Sequence, residues 1–340
     1  MQFVMKVQQL VAKFFSSSGA KFVSQFRSIG SSIAAAALIA APAVSAQETV
    51  RSNQWSVQAE LNLAAMLDCH EDTERTLISA HRGGPEPGLP ENSIAAMDAV
   101  LTAIPAIMEV DVVQSPDGVH YLMHDRTLDR TTTGSGAVAD MSWSQVEQLH
   151  LVDEAGWVTP YRVPTLRAAL EWAKGRTVLQ IDFKQSADYE AVIAMIRETG
   201  NADNVILIAY SLGSANRMLE LAPEMLLSLS LGGMDDLVAA RYAGIPDENI
   251  VAFTGTRTPR PDLYRDLDGE DIEVIFGTLG RSPNSIDNTN ARLGTDERYT
   301  ELAQSGVDII ATDRPREAAA ALAAAERLPQ AGVCGVTRGN

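Results

Sequence analysis

In the run Ile107–Val112, strand alternation puts Glu109 and Asp111 on one face and Met108, Val110 and Val112 on the other. The apolar face must meet apolar neighbours, so both carboxylates point into an interior. A second run, Val178–Phe183, makes the same offer: Gln180, Asp182 and Lys184 alternate with Ile181 and Phe183, adding a third carboxylate and an ammonium. Acids held this close without neutralisation are strongly unfavourable. All-oxygen donors, with no cysteine or clustered-histidine motif, suit a hard divalent cation, Mg²⁺ or Ca²⁺, better than zinc. The competing reading is an Arg82 and Lys184 network that neutralises the acids without metal.

Two histidines stand where a phosphoryl chemistry would need them. His81 closes the first apolar run and is followed by Arg82-Gly83-Gly84, so backbone can approach a ligand and a guanidinium can grip phosphate oxygens. His124 ends the run Val119–Met123, beside Asp125. Cleaving a phosphodiester takes one proton from a nucleophile and gives one to a leaving oxygen, and an imidazole pair holds both states near neutral pH. His120 has nothing tying it to this site, and His70 and His150 are expected at the surface.

The elements that must position these groups are short apolar runs alternating with helical stretches, the signature of a parallel sheet covered by helices. Eight runs qualify: Leu77–His81, Ile107–Val112, Val178–Phe183, Asn204–Tyr210, Leu226–Leu231, Ile250–Phe253, Ile272–Phe276 and Val307–Ala311. Apolar spacing predicts helices over Ser93–Leu101, Thr165–Lys174, Asp188–Glu198, Ser214–Ala222, Met234–Tyr242 and Arg316–Glu326. Such a chain closes best as an α/β (βα)8 TIM-type barrel, 77–328. Val119–Met123 follows the second strand after a five-residue turn, too short for a helix, and reads as a hairpin excursion. Residues 125–163 form an inserted loop or small subdomain with one helix. Residues 47–76 form a leader whose amphipathic stretch Trp55–Leu67 packs on the outside or bottom of the barrel, and 329–340 a tail.

Residues 1–46 carry four basic residues, no acid and the apolar run Ile33–Ala41, ending in Val44-Ser45-Ala46. That is the pattern of an export signal cleaved after Ala46, with a retained anchor as the alternative. The expected location is the periplasm or the medium. The 340-residue chain has net charge −17, and losing four positive charges leaves −21. Such acidity argues against nucleic acid or an anionic membrane as a partner and for a small anionic substrate met by local positive groups or a metal. The two cysteines, Cys69 and Cys334, fit neither zinc nor a CxxC motif; they either pair across the ends of the domain or stay as free thiols.

In order and spacing, His81-Arg82-Gly83-Gly84, Pro90-Glu91-Asn92-Ser93, Glu109-Val110-Asp111, Asp117-Gly118, His124-Asp125 and Leu128-Asp129-Arg130-Thr131-Thr132 resemble the glycerophosphodiester phosphodiesterase family. The likeness continues through Val163-Pro164-Thr165-Leu166, Ile181-Asp182-Phe183-Lys184 and Thr312-Asp313-Arg314-Pro315. It implies a site at the C-terminal strand ends, one divalent cation, and hydrolysis of glycerophosphodiesters to sn-glycerol 3-phosphate and an alcohol. By the same resemblance His81 and His124 match the acid–base pair, Glu109, Asp111 and Asp182 the metal ligands, and Arg82 and Lys184 the phosphate-holding residues.

The chain departs from the pattern twice. Asp182 stands where the family usually has glutamate, and the penultimate strand ends in Phe276-Gly277-Thr278-Leu279-Gly280 where a tryptophan-containing motif is usual. Glu91 is read as complementing a helix dipole or supporting the site, and Thr312 and Asp313 as capping the last helix. Two rival functions remain: a phospholipase of the same barrel type acting on lipid, and an exported protein that binds phosphodiesters without cutting them.

Overall fold

The computed structural model describes residues 53–59 and 62–339; the reading of 1–46 as an export signal lies outside them. Eight parallel strands close on themselves: β2 (Leu77–Ala80), β3 (Ile107–Gln114), β7 (Leu179–Phe183), β8 (Val205–Ala209), β9 (Leu226–Ser230), β10 (Ile250–Phe253), β11 (Val274–Gly277) and β12 (Ile309–Thr312), with β2 pairing both β12 and β3. This is the TIM-type barrel expected. The excursion is β4 (His120–Leu122), antiparallel to β3 with Val112 opposite Leu122.

Alternation decides which residues meet which layer. Met108, Val110 and Val112 of β3, and Leu179 and Ile181 of β7, are buried against helices α2 (Ile94–Ala103), α4 (Leu166–Ala173) and α5 (Tyr189–Thr199). Their inward neighbours Ile107, Val178, Ile206, Leu226, Val251, Ile275 and Ile309 fill the lower barrel. The leader closes that end. Strand β1 (Trp55–Val57) pairs with β13 (Val336–Arg338), and Leu63, Met66 and Leu67 of α1 (Leu63–Asp72) join the lower cluster. The single amphipathic stretch expected over Trp55–Leu67 is therefore a strand followed by a helix, because Asn62 caps α1 by accepting from the Ala65 amide at 2.8 Å. Cys69 and Cys334 form a disulfide that ties α1 to the chain end. His70 is buried here rather than at the surface, and burial pushes its pKa down to about 4.

All six predicted helices recur within a few residues: α6 (Leu212–Leu221), α7 (Met234–Tyr242) and α11 (Pro315–Ala324) complete the set. Three longer helices were not expected: α8 (Pro261–Asp268), α9 (Ile286–Leu293) and α10 (Glu297–Gln304). The insertion holds its one expected α-helix and, in addition, a hairpin. The short α3 (Trp143–Val146) and the hairpin of β5 (His150–Val152) and β6 (Val158–Arg162) enclose their own core of Tyr121, Met123, Leu128, Val138, Val146 and Leu151. Trp143 packs on Tyr121 with ring centroids 5.6 Å apart.

Candidate active site

The β3–β7 register sets Glu109 beside Gln180 and Asp111 beside Asp182. Neighbouring parallel strands lie about 4.8 Å apart, so Asp111 and Asp182 stand side by side in the upper barrel, with Glu109 two residues below Asp111. One oxygen from each of Glu109, Asp111 and Asp182 lies within 4.8 Å of the others. All three side chains are buried.

Whether this set fits a divalent cation is a question of charge. Lys184 Nζ lies 2.7 Å from Asp111 Oδ1 and 2.5 Å from Asp182 Oδ2, so one ammonium serves two carboxylates. Arg82 does not complete the neutralisation. Its Nη1 donates to both oxygens of Glu91, at 3.1 and 3.2 Å, and its Nε stays 3.7 Å from Asp111. With all three carboxylates ionised, Lys184 offsets one charge by direct contact and two remain, with Arg82 Nε at 3.7 Å and His81 Nε2 at 4.0 Å standing off from them. Burial first, then Asp111 and Asp182, pushes the Glu109 carboxyl up to about 8. Asp182 Oδ1 is buried with no hydrogen-bond partner. These residues fit an oxygen-bound dication, and the metal-free network leaves charge and a lone pair unmet.

At the end of β2 the chain turns sharply through His81–Gly83, with Arg82 at φ 52°. That left-handed conformation costs about 1 kcal/mol or more in a non-glycine residue, and it delivers the Arg82 amide to Glu109 Oε2 at 2.7 Å. Gly83 follows at φ 77°, and a Cβ there would lie 2.7 Å from Met97 Cγ, so only glycine lets α2 pack this close.

His81 sits with Nε2 4.0 Å from Glu109 Oε2 and Nδ1 2.6 Å from Asp313 Oδ1. Burial alone would lower its pKa, but Asp313 and Glu109 outweigh that and raise it. Asp313 is itself fixed by the Gly280 amide at 2.9 Å and, through its own amide, by Asp287 at 2.7 Å. The capping expectation for Asp313 is thus corrected: Arg314 is the cap residue of α11, and Asp313 holds the histidine. The Thr312 hydroxyl donates to Asp287 at 2.9 Å and accepts the amide of the cap residue Arg314 at 3.0 Å.

His124, on the other side, bonds Asp125 Oδ1 through Nδ1 at 2.7 Å. Burial lowers its pKa, partly offset by Asp111 and Asp125. Arg130 clamps Asp125 from Nε at 2.6 Å and Glu91 from Nη1 at 2.6 Å. Glu91 therefore lies between two guanidiniums, which hold its pKa low despite burial. It caps nothing: Ser93 caps α2, accepting from the Ala96 amide at 3.1 Å. Asn92 fixes Asp111 twice, donating from Nδ2 to Oδ2 at 2.7 Å and accepting the Asp111 amide at 2.9 Å. Tyr210 donates to Asp182 Oδ2 at 2.8 Å.

All seven residues singled out from the sequence, His81, Arg82, Glu109, Asp111, His124, Asp182 and Lys184, converge on this mouth. Asp313, Arg130, Asp125, Asn92 and Tyr210 were missed as site residues. Adjacency to His124 marked Asp125, whereas nothing local marks Asp313, 232 positions from His81. His120 stays outside: it is buried and its Nε2 accepts the Asp188 amide at 3.3 Å. His150, half-buried in the hairpin, bonds the Thr159 carbonyl at 2.9 Å.

Fold and site together define an α/β barrel protein with a carboxylate–histidine centre at its C-terminal strand ends. The solved structure of a glycerophosphoryl diester phosphodiesterase from Parabacteroides distasonis ATCC 8503 matches it with a TM-score of 0.72 and 28% identity, over 84% of this chain and 99% of that one. The uncharacterized protein YqiK of Bacillus subtilis (strain 168) is 31% identical over 258 residues, 73% of this chain and 98% of its own length. A glycerophosphodiester phosphodiesterase of Caldanaerobacter subterraneus subsp. tengcongensis is 30% identical over 162 residues, 46% of this chain and 66% of its own. The chain spans 30–66% of the length of the first curated relatives it matches. The model of the Glycerophosphoryl diester phosphodiesterase family matches residues 81–218, from His81 past all three carboxylates and Lys184. The chain belongs to the Glycerophosphoryl diester phosphodiesterase family.

Proposed function

We propose that the protein hydrolyses glycerophosphodiesters to sn-glycerol 3-phosphate and an alcohol, using one Mg²⁺ or Ca²⁺ ion held by Glu109, Asp111 and Asp182. The observation that carries this reading is three buried carboxylates with oxygens within 4.8 Å of one another, only one ammonium in direct contact with them, and both histidines alongside. Bound there, the cation would polarise the phosphoryl group and acidify an attacking hydroxyl.

The chain's own residues supply the rest. His81 and His124 exchange protons with the nucleophile and the leaving oxygen, each kept in place through Nδ1 by a carboxylate, so Nε2 is the working nitrogen. Arg82 and Lys184 offset charge on the non-bridging oxygens. The Asp182 side chain, one carbon shorter than the family's glutamate, is supported by Tyr210 and Lys184.

The protein is read as exported to the periplasm or medium. The basic-then-apolar 1–46 segment supports this, as does the Cys69–Cys334 disulfide, since such bonds persist in oxidising compartments.

Release of glycerol 3-phosphate from glycerophosphocholine by purified protein, with and without chelator, tests the activity. Turnover that needs Mg²⁺ or Ca²⁺ and is abolished in His81→Ala and in His124→Ala, with circular dichroism unchanged, is the expected result. Binding without turnover would leave the binding-protein reading, and cleavage of intact phospholipid alone would leave the phospholipase.

A further inference from the structure

Two unlike cavities flank the Asp125–Arg130 ion pair. The first, of about 530 Å³, has His124, Asp182 and Lys184 among its lining residues, so it is continuous with the site. Its other buried walls are apolar. Strand β3 runs on beyond Asp111, and the next inward side chain in the alternation is Val113. The insertion brings in Val138, whose amide is pinned by the Arg126 carbonyl at 2.9 Å, with Ala137 and Ala139 on either side. Phe183 forms a further wall, its ring edge-on to Tyr189 at 4.6 Å. The polar residues Arg126, Gln185, Ser186 and Tyr210 that also line it are solvent-exposed, the Tyr210 hydroxyl being engaged by Asp182.

The second cavity, of about 430 Å³, lies beyond the Asp125–Arg130 ion pair: Asp125 lines the first cavity, Arg130 and Glu91 the second. Asp153, Glu154 and Arg281 complete a polar, charged wall. A glycerol arm is hydroxyl at every carbon beyond its ester, and the second cavity offers it a wall of charged groups, Glu91, Arg130 and Asp153 among them. In the first, beyond the groups of the site itself, the buried wall of Val113, Val138 and Phe183 gives hydroxyls no partner, and those at the rim are exposed, whereas hydrocarbon against that wall would leave water at a gain.

We infer that the Val113–Val138–Phe183 cavity is the subsite for the alcohol arm of the phosphodiester and takes an aliphatic alcohol, making the protein selective for glycerophosphodiesters of hydrocarbon alcohols over those of small ones. This rests on the hydrolytic function proposed above. The arm enters beside His124, the histidine that lines this cavity.

The probes are the ethyl and n-hexyl esters of glycerol 3-phosphate, below any micelle-forming concentration, with the full chain and saturating Mg²⁺ or Ca²⁺. A fully buried methylene is worth about fourfold in kcat/KM, so even partial burial of four gives the hexyl ester an advantage of about tenfold or more. In Val138→Asp and Ala139→Asp the hexyl-to-ethyl ratio falls toward one. Ala139 is exposed, so its variant tests the wall even where Val138→Asp fails to fold. A ratio near one in the native protein, or a ratio unchanged in Ala139→Asp, overturns the subsite; glycerol 3-phosphate release from both esters would still leave the hydrolytic function standing. Release from neither ester would overturn that function and the subsite together.

Discussion

His81 Nδ1 and Asp313 Oδ1 are 2.6 Å apart, although one residue ends the first barrel strand and the other follows the last. Barrel closure makes this pair, since β2 and β12 are neighbours with Ala80 opposite Thr312. Asp313 fixes the ring and raises the His81 pKa. In Asp313→Asn, kcat falls by about 10–100-fold, the usual cost of losing a carboxylate that orients a working histidine. The limb of the pH–rate profile belonging to His81 moves to lower pH, because the group stabilising the imidazolium is gone. A purely structural role for Asp313 would leave that limb in place.

Glu91 neutralises two guanidiniums at once, and both belong to the site. Glu91→Ala leaves Arg82 and Arg130 facing each other, costing about 3 kcal/mol of stability by denaturant unfolding. Arg82, Arg130 and, through Asp125, His124 all lose an anchor, so kcat/KM for glycerophosphocholine drops as well. Glu91→Gln retains the shape and loses less stability.

The sequence made the β3 and β7 carboxylates legible because strand alternation is strict: once Val110 and Ile181 must face helices, Glu109, Asp111 and Asp182 have no other direction. The same rule revealed the barrel. What stayed hidden depended on contacts between distant segments, such as Asp313 on His81 or Arg130 on Glu91. Helices α9 and α10 carry few apolar residues, and Asp287 and Asn290 are buried on α9, so hydrophobic spacing gave no signal. His70 was misplaced for a related reason: one polar residue on a short helix gives no sign that its face is covered by the chain terminus.

Acids at the lower end of the barrel set a pH dependence of stability. Burial first, then the Asp68 carboxyl, pushes Glu273 up to about 9; burial, then Asp268, pushes Glu71 up to about 8; and burial pushes Asp308 up to about 7. The folded protein thus binds protons that the unfolded chain releases above the ordinary carboxylate value near 4.5. Stability from these groups is fully present below about pH 4, declines as pH rises above the unfolded carboxylate value, and is lost once pH has passed the folded values of about 7 to 9. Unfolding midpoints in urea should fall from pH 6 to pH 9, and Glu273→Gln should flatten that decline. An equal decline in the variant would exclude Glu273 as a source.

The disulfide closes a loop of 265 residues around the barrel. Replacing Cys69 and Cys334 together by serine costs about 2–5 kcal/mol, seen as a lower thermal midpoint. Activity at 25 °C is retained, because the bond lies at the opposite end of the barrel from the carboxylates.

The central claim is that Glu109, Asp111 and Asp182 share one dication. Calorimetric titration of the chelator-treated protein with Mg²⁺ and with Ca²⁺ tests it directly. One saturable site per chain is expected for at least one of these ions, lost in Asp111→Asn and in Glu109→Gln while both variants stay folded. Undiminished binding in those variants, or no saturable binding by the native protein, would contradict it.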